Sequence, residues 1–292
     1  MSLDRIRLAS LHDKVMSAEQ AATFIQDGMT VGMSGFTRAG EAKAVPLALV
    51  KQAQTNPLKI TLITGASLGN DLDKQLTEAG VLARRLPFQV DNTLRKAINK
   101  GEVMFIDQHL SETVEQMRNQ QLKKPDVAVI EAVAITEDGG IIPTTSVGNS
   151  ASFAIFAEKV IVEINTNLSP AFEGLHDIYI PTYRPTRQPI PLTKVDERIG
   201  TQAINIDPSK IVGIVFNSEL HDSPSTVTAP DDETQGIANH LIAFFEKEVA
   251  EGRLPSNLGP LQAGIGSIAN AVLTGLKDSN FEDLIMYSEV LQ

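Results

Sequence analysis

Glu289, a carboxylate near the end of the chain, lies in a setting that suits a nucleophile. It follows the apolar run Leu284-Ile285-Met286-Tyr287 and is followed by Val290 and Leu291. Apolar neighbours can hold a carboxylate ready to attack an electrophilic carbon covalently. A single Glu at a strand end is more often a solvated edge residue. On this feature alone, both interpretations stay open.

A glycine-containing segment, Gly264-Ile265-Gly266-Ser267-Ile268, precedes a helical pattern earlier in the chain. Glycines let backbone approach a ligand closely, and free N–H groups at a helix start bind an anion or a developing oxyanion. We therefore expect these residues, which we call the glycine turn, to bind an anionic group. The alternative is a plain tight turn, which two glycines form equally well.

Two units of strand, glycine-rich turn and helix follow each other in the first part of the chain. Residues 29–34 and 59–64 have the composition of buried strands, and glycine-rich turns follow at 35–40 and 65–70. This alternation predicts an α/β fold, with a mainly parallel sheet flanked by helices and ligands at the carboxyl ends of its strands. Neither turn matches a dinucleotide fingerprint or a P-loop, so we expect no site for those nucleotides.

The later chain adds a hairpin and a long helix to this pattern. Residues 126–136 and 141–145 flank the turn Glu137-Asp138-Gly139-Gly140, which predicts one antiparallel hairpin. A short strand is expected at 177–181 and further strands at 103–107, 159–164 and 210–216. A helix over 233–252 has an apolar stripe that we expect to be its buried face: Ile237, Leu241, Ile242, Phe244, Phe245 and Val249.

Glu131 is a second carboxylate inside an apolar strand. It is either a buried partner in a site or a side chain directed to a polar face, and we favour the polar face.

Composition excludes several classes of protein. The 292 residues carry a net charge of −11 without a long basic run, which argues against nucleic acid, because phosphate binding needs concentrated positive charge. There is no Cys, and the five His residues lack metal-ligand spacing, so we expect no metal site.

No apolar run reaches the about 20 residues of a membrane span, and the first residues lack a signal peptide's apolar region. We expect a cytoplasmic protein that does not bind membranes.

The glycine turn and the segment around Glu289, taken together, resemble one enzyme family. The glycine turn, extended by Ala269-Asn270-Ala271-Val272, and the later Met286-Tyr287-Ser288-Glu289-Val290 resemble the acetyl-CoA hydrolase/transferase family of class I coenzyme A transferases. The resemblance covers the whole chain. It includes Ser34-Gly35-Phe36-Thr37, Thr64-Gly65-Ala66-Ser67, residues 101–111, Gly139-Gly140 and Val147-Gly148-Asn149-Ser150.

The resemblance implies transfer of CoA from an acyl-CoA to a small carboxylate. Glu289 would attack the acyl-CoA and become a glutamyl-CoA thioester. Gly264, Ile265, Gly266, Ser267 and Ile268 would line the CoA path, and the N–H near Ile265 would stabilise the oxyanion. Ser67 would hydrogen-bond the substrate carboxylate. Coenzyme A is then a substrate, and the reaction needs neither a cofactor nor a metal.

One segment departs from the pattern of succinate-using relatives. Those relatives tend to have Pro-Tyr-Gln-Thr where this chain has Pro87-Phe88-Gln89-Val90, so two hydroxyl groups are missing. A carboxylate buried without donors is costly. A dicarboxylate substrate is therefore less expected, and a more apolar acyl group is favoured.

Members of the family are longer and have two similar α/β halves with the active site between them. The resemblance therefore predicts an N-terminal CoA-transferase domain at residues 1–280 and the start of the second half at 281–292. We expect a homo-oligomer, and little or no activity from this chain alone. Two alternatives stay open: an acyl-CoA thioesterase, in which water takes the place of the acceptor, and a non-catalytic domain that binds CoA or another small ligand.

Overall fold

The chain forms two compact units. Its structure, a computed structural model, describes residues 3–36, 38–66, 68–69, 71–194, 196–222 and 228–288. Unit 1 comprises Met1–Pro191 and Arg198–Pro224, and unit 2 comprises Leu192–Glu197 and Ser225–Gln292. The boundary expected between residues 280 and 281 concerns a second half of the protein, and it stays a prediction.

A mainly parallel sheet forms the framework of unit 1. Its strands are β1 (Thr30–Met33), β2 (Ile60–Ile63), β3 (Leu82–Leu86), β4 (Met104–Phe105), β5 (Val127–Ile135), β6 (Ile141–Pro143), β7 (Lys159–Asn165) and β8 (Ile211–Asn217). The spatial order is β4-β3-β2-β1-β5-β7-β8. Neighbours along this path are parallel, whereas β6 lies antiparallel beside β5. The predicted α/β fold and its hairpin are confirmed.

Helices of unit 1 cover both faces of this sheet. They are α1 (Ala18–Ala22), α2 (Ala44–Thr55), α3 (Leu72–Glu78), α4 (Asn92–Asn99), α5 (Leu110–Arg118) and α6 (Ser150–Phe156). Val127 and Val129 of β5 join the core formed with α2, α3 and α4, whereas Ala128 and Ile130 join the core formed with α5 and α6. All nine residues of β5 are buried. This explains its continuous apolar sequence, since a parallel strand is covered on both faces.

Among the local patterns, one is confirmed, one predicted strand is wrong and one strand was missed. Ser17 followed three residues later by Gln20 is the sequence pattern of a capping box, and the two residues form one at the start of α1. The strand expected at 177–181 is wrong, because Ile178 makes only an isolated bridge to Thr201. Strand β3 was not anticipated, because Arg84 and Arg85 interrupt its apolar pattern. In the structure, Arg85 is nevertheless buried, among charged and polar partners.

Unit 2 pairs two helices with two short strands. These elements are α7 (Asp232–Ala250), β9 (Pro260–Leu261), α8 (Ser267–Lys277) and β10 (Ile285–Met286). Strands β9 and β10 are parallel. Among the described residues, none of the helices combines the length and apolar character that crossing a membrane requires.

None of the six residues predicted for the buried face of α7 is fully buried: Leu241, Ile242, Phe245 and Val249 are half-buried, and Ile237 and Phe244 are exposed. Ile237 and Phe244 are 42% and 51% exposed. The side of α7 that meets α8 is centred on Ala238 and Ile242, which lie 3.7 and 3.4 Å from a Cβ built on Gly275. Ile237 and Phe244 are seven residues apart and therefore share one edge of the apolar stripe. A single partner helix covers the centre of that stripe and leaves this edge exposed.

Candidate active site

The glycine turn opens helix α8, as the sequence predicts. The helix begins at Ser267, and Gly266 occupies the preceding position with φ 119° and ψ 175°. This backbone conformation is essentially restricted to glycine. No described side chain caps the helix start. The N–H groups of its first turn have no partner within the helix, so they are free to bind an oxyanion or a phosphate.

The glycine turn is open on its outer side. A Cβ built on Gly264 would meet no described atom within 4 Å. Ile265 and Ile268 are 58% and 52% exposed. Packing against the described residues therefore does not explain why position 264 is glycine, whereas close approach of a ligand would.

Pairing of β9 with β10 places the end of the second strand beside the glycine turn. The backbone N–H of Tyr287 donates to the carbonyl oxygen of Leu261 at 2.8 Å. The hydroxyl of Ser288 donates to the carbonyl oxygen of Ala263 at 2.8 Å. Ser288 directly precedes Glu289, which lies outside the described residues. The carboxyl ends of both strands therefore lie beside the glycine turn.

Replacement of Gly266 by Ala is expected to destabilise unit 2 by about 1–3 kcal/mol, because an L side chain rarely adopts this backbone conformation. Urea unfolding followed by far-UV circular dichroism would measure the change. Gly264→Ala is the matched control and should change stability by less than about 1 kcal/mol, since the space around it is open. Equal stability of Gly266→Ala and the wild type would contradict this expectation.

In unit 1, the ends of β1 and β2 meet the start of α6 through close backbone contacts. The N–H of Asn149 donates to the hydroxyl oxygen of Ser34 at 2.9 Å. The amide group of Asn149 donates to the carbonyl oxygen of Thr64 at 3.2 Å. Cβ atoms built on Gly65 and Gly148 would lie 2.7 and 2.5 Å from the Ser34 hydroxyl oxygen. These two glycines therefore have a packing role, because a side chain would separate the three segments.

Ser67, the predicted substrate-binding residue, lies outside the described residues. It belongs to a stretch of residues 64–73, which we call the Ser67 segment, that joins β2 to the start of α3. Its neighbours Ala66 and Leu68 are 7% and 6% exposed and anchor the segment on both sides. A cleft of about 430 Å³ runs along the segment, lined by Arg38, Leu68, Gly69, Asp71, Asp73, Val90, Asp91 and Asn92.

A fully buried ammonium group, which sequence reasoning missed, lies at the carboxyl end of the sheet. Lys43 is 0% exposed. Its Nζ donates to the carbonyl oxygen of Glu41 at 2.6 Å and to Oε1 of Glu131 at 2.7 Å. It lies 2.7 Å from Oδ1 of Asp222. The three protons of the ammonium group thus have three acceptors, which is the arrangement a buried cation requires.

This network corrects the prediction for Glu131. Its side chain is buried, not directed to a polar face. The carboxylate also accepts from Thr144 at 2.7 Å and from Asn165 at 3.0 Å. The carboxylate thus joins β5 to Lys43, to Thr144 and to the end of β7 through bonds that are shielded from water.

Charges in the network shift the pKa of Lys43 upwards. Burial acts to lower this pKa, but the carboxylates of Glu131 and Glu41 and the hydrogen bond to Asp222 outweigh it, so the pKa lies above its ordinary value of 10.5. Lys43 therefore stays charged at neutral pH. Its contribution to stability is present below pH 10.5 and is lost only as the pH rises through the folded-state value.

Glu163 occupies the place of a capping residue at the start of α2. It accepts from the backbone N–H groups of Lys43 and Ala44 at 2.9 Å and of Val45 at 3.1 Å. Burial raises the pKa of this carboxyl above 4.5, and the Glu131 carboxylate acts in the same direction, against the stabilising backbone bonds. Carboxylates inside the apolar runs of β5 and β7 are the sequence signal that could have revealed this network.

A comparison with known proteins identifies the family. Residues 2–216 match the model described as the acetyl-CoA hydrolase/transferase N-terminal domain. The chain belongs to the acetyl-CoA hydrolase/transferase family. The resemblance derived from the sequence is thereby confirmed.

The curated relatives that this chain matches include transferases and hydrolases. The succinyl-CoA:acetate CoA-transferase of Clostridium kluyveri is 46% identical over 291 residues, covering 99% of this chain and 54% of the relative. The acetyl-CoA hydrolase of Kluyveromyces lactis is 44% identical over 300 residues, covering 99% of this chain and 57% of the relative. The chain thus spans about half the length of the curated relatives it matches.

A solved structure supports the fold. RipA from Yersinia pestis superposes with a TM-score of 0.66 at 19% sequence identity, covering 100% of this chain and 58% of RipA. At this identity the likeness shows the shared fold alone.

Proposed function

We propose that this chain is the N-terminal part of an acyl-CoA:carboxylate CoA-transferase in which Glu289 is the nucleophile. The observation that carries the proposal is the pairing of β9 with β10, which brings Ser288, the residue before Glu289, to the glycine turn. The 46% identical relative named succinyl-CoA:acetate CoA-transferase supports the same chemistry.

The proposed reaction conserves the thioester through a covalent relay. The Glu289 carboxylate attacks the acyl-CoA carbonyl, which forms an acyl-glutamyl anhydride and releases CoA thiolate. The thiolate then attacks the glutamyl carbonyl, which forms glutamyl-CoA and releases the first carboxylate. The acceptor carboxylate repeats the two steps in reverse and leaves as the new acyl-CoA, so Glu289 is regenerated as a carboxylate.

The glycine turn would serve this reaction in two ways. Each attack on a carbonyl carbon creates an oxyanion, and N–H groups near Ile265 and the start of α8 would stabilise that charge. Gly264, Gly266, Ser267 and Ile268 would line the path of CoA. The open space around Gly264 supports this role.

Ser67 would bind a substrate carboxylate, such as that of the acyl acceptor. We propose that the Ser67 hydroxyl donates to this carboxylate; Leu68 and Gly69, which follow Ser67 in the chain, line a cleft of about 430 Å³. Phe88 and Val90 are 43% and 40% exposed, and Val90 lines the cleft. Because neither side chain offers a hydroxyl, we propose a small monocarboxylate in preference to a dicarboxylate.

Hydrolysis of acyl-CoA is the second candidate, and the relative named acetyl-CoA hydrolase favours it. In that reaction water attacks glutamyl-CoA in place of the acceptor carboxylate, which yields free CoA and Glu289. The ratio of new acyl-CoA to free CoA, measured as acceptor is added, distinguishes the two outcomes. Homo-oligomerisation, location in the cytoplasm and low activity of this chain alone stay predictions.

Trapping of the thioester with borohydride tests the proposal. This chain, joined to a second half of the family's type, is incubated with acetyl-CoA or propionyl-CoA, reduced, digested and analysed by mass spectrometry. We expect the peptide containing Glu289 to carry an alcohol in place of the carboxyl group, since borohydride reduces a thioester. Glu282, an exposed carboxyl in the same region, is the internal control and should stay unmodified.

The opposite result has a defined meaning. If CoA binds while Glu289 stays unmodified under conditions in which a known family member is labelled, the covalent mechanism is excluded. The alternative of a non-catalytic domain that binds CoA or another small ligand would then be favoured.

A further inference from the structure

A buried guanidinium group ties the Ser67 segment to the neighbouring strand. Arg85 of β3 is 0% exposed. Its Nε and Nη2 donate to the two carboxylate oxygens of Asp73 at 2.8 and 3.0 Å. Asp73 lies in the first turn of α3, at the end of the Ser67 segment. A bidentate pair of this kind fixes the direction of both side chains as well as the distance between them.

The same guanidinium group reaches the beginning of the segment. Its Nη1 donates to the hydroxyl oxygen of Thr64 at 2.7 Å and to the carbonyl oxygen of Leu86 at 2.9 Å. Because the Thr64 oxygen accepts from Arg85, its own proton is directed to the carbonyl oxygens of Gly65 and Ala66, both at 3.2 Å. Hydrogen bonds thus run from Arg85 to the residue immediately before Ser67.

Burial makes these contacts a rigid support. Thr64 is 0% exposed and Asp73 is 3% exposed. Hydrogen bonds between charged and polar groups are stronger where water is excluded, and a partner left alone there is costly. Asp73, Leu68 and Gly69 also line the cleft beside the segment. The wall of the cleft and the guanidinium group are therefore mechanically coupled.

We infer that Arg85 is a positioning residue for the acceptor carboxylate. It holds Thr64 and Asp73, the two ends of the Ser67 segment, and so limits how far the segment can shift. The inference rests on the proposed function, because it takes Ser67 to be the residue that contacts the carboxylate. Looser support would weaken binding of the acceptor more than binding of acyl-CoA, because acyl-CoA also has its CoA part, which the glycine turn would hold.

Replacement of Arg85 by Lys tests this inference, because Lys keeps the positive charge but cannot make the bidentate pair and the bond to Thr64 together. We expect the KM for the acceptor carboxylate to rise about 10- to 100-fold. Formation of glutamyl-CoA at Glu289 from acyl-CoA, measured by borohydride trapping, should persist. Thr64→Val removes the hydroxyl and leaves the pair of Arg85 with Asp73, so it should raise the same KM by a smaller factor.

Arg84→Lys is the matched control, since Arg84 is the exposed neighbour in the same strand. It should leave the KM for the acceptor unchanged. An unchanged KM in Arg85→Lys, with normal trapping in the wild type, overturns the inference and leaves the proposed function intact. If the wild type forms no glutamyl-CoA, the proposed function fails and the inference with it. If Arg85→Lys does not fold, the KM of Thr64→Val decides.

Discussion

Glu289→Gln is expected to lower CoA transfer by roughly 10⁴- to 10⁶-fold, the range found when a covalent nucleophile is removed. The amide is close in size to the carboxylate but is a far weaker nucleophile, so neither the anhydride nor the thioester can form. Initial rates of acyl-CoA formation, measured with the chain joined to a second half of the family's type, give the size of the loss. Binding of CoA should change little, because the glycine turn is intact.

Glu282→Gln is the matched control for this substitution. Glu282 is exposed and lies in the same region of unit 2, so its loss should leave the rate within a factor of about two. Acyl-CoA hydrolysis should fall together with transfer if both reactions use glutamyl-CoA. Hydrolysis that persists in Glu289→Gln would mean that water attacks the acyl-CoA directly. Retention of full transferase activity would refute the role of Glu289.

Lys43→Met is expected to lower the free energy of unfolding by about 3–5 kcal/mol, because it leaves buried carboxylates without their cation. Glu131 and Asp222 each lie 2.7 Å from the ammonium nitrogen. Urea unfolding gives the difference, followed by far-UV circular dichroism because the chain has no Trp. Lys43 itself adds no pH dependence to the stability of the wild type between pH 6 and about pH 9, since its pKa lies above 10.5.

Two further variants separate the ion pair from side-chain packing. Lys51→Met removes an exposed Lys from the same helix, α2, and should change stability by less than about 1 kcal/mol. Adding Glu131→Gln to Lys43→Met removes one uncompensated charge and should recover part of the loss. If Lys43→Met is as stable as the wild type, the buried network does not stabilise unit 1.

Features that depend on neighbouring residues were predictable from the sequence. The capping box at Ser17 needs only Gln20, three residues later. Helix α8 begins after Gly266 because the local backbone requires glycine there. Strand β5 follows from its own uninterrupted apolar run. Propensity, capping and burial patterns all act within a few residues, so their effects can be read along the chain.

Partners distant in sequence were not predictable. Lys43 and Glu131 are 88 positions apart. Burial of either side chain is unfavourable alone and becomes acceptable only when the fold brings Lys43, at the start of α2, next to Glu131 of β5. Strand β3 was missed for the same reason, because the arginine that interrupts its apolar pattern is buried against Asp73 and Thr64.

The sequence by itself thus determined the fold class, the hairpin, the glycine turn and the family of this protein. Only the tertiary structure decided which charged residues are buried together and which edge of α7 stays exposed. Local sequence patterns reflect interactions between residues that are close in the chain. Whether a charged residue can be buried, or Phe244 left exposed, depends instead on which residues the rest of the fold places beside it.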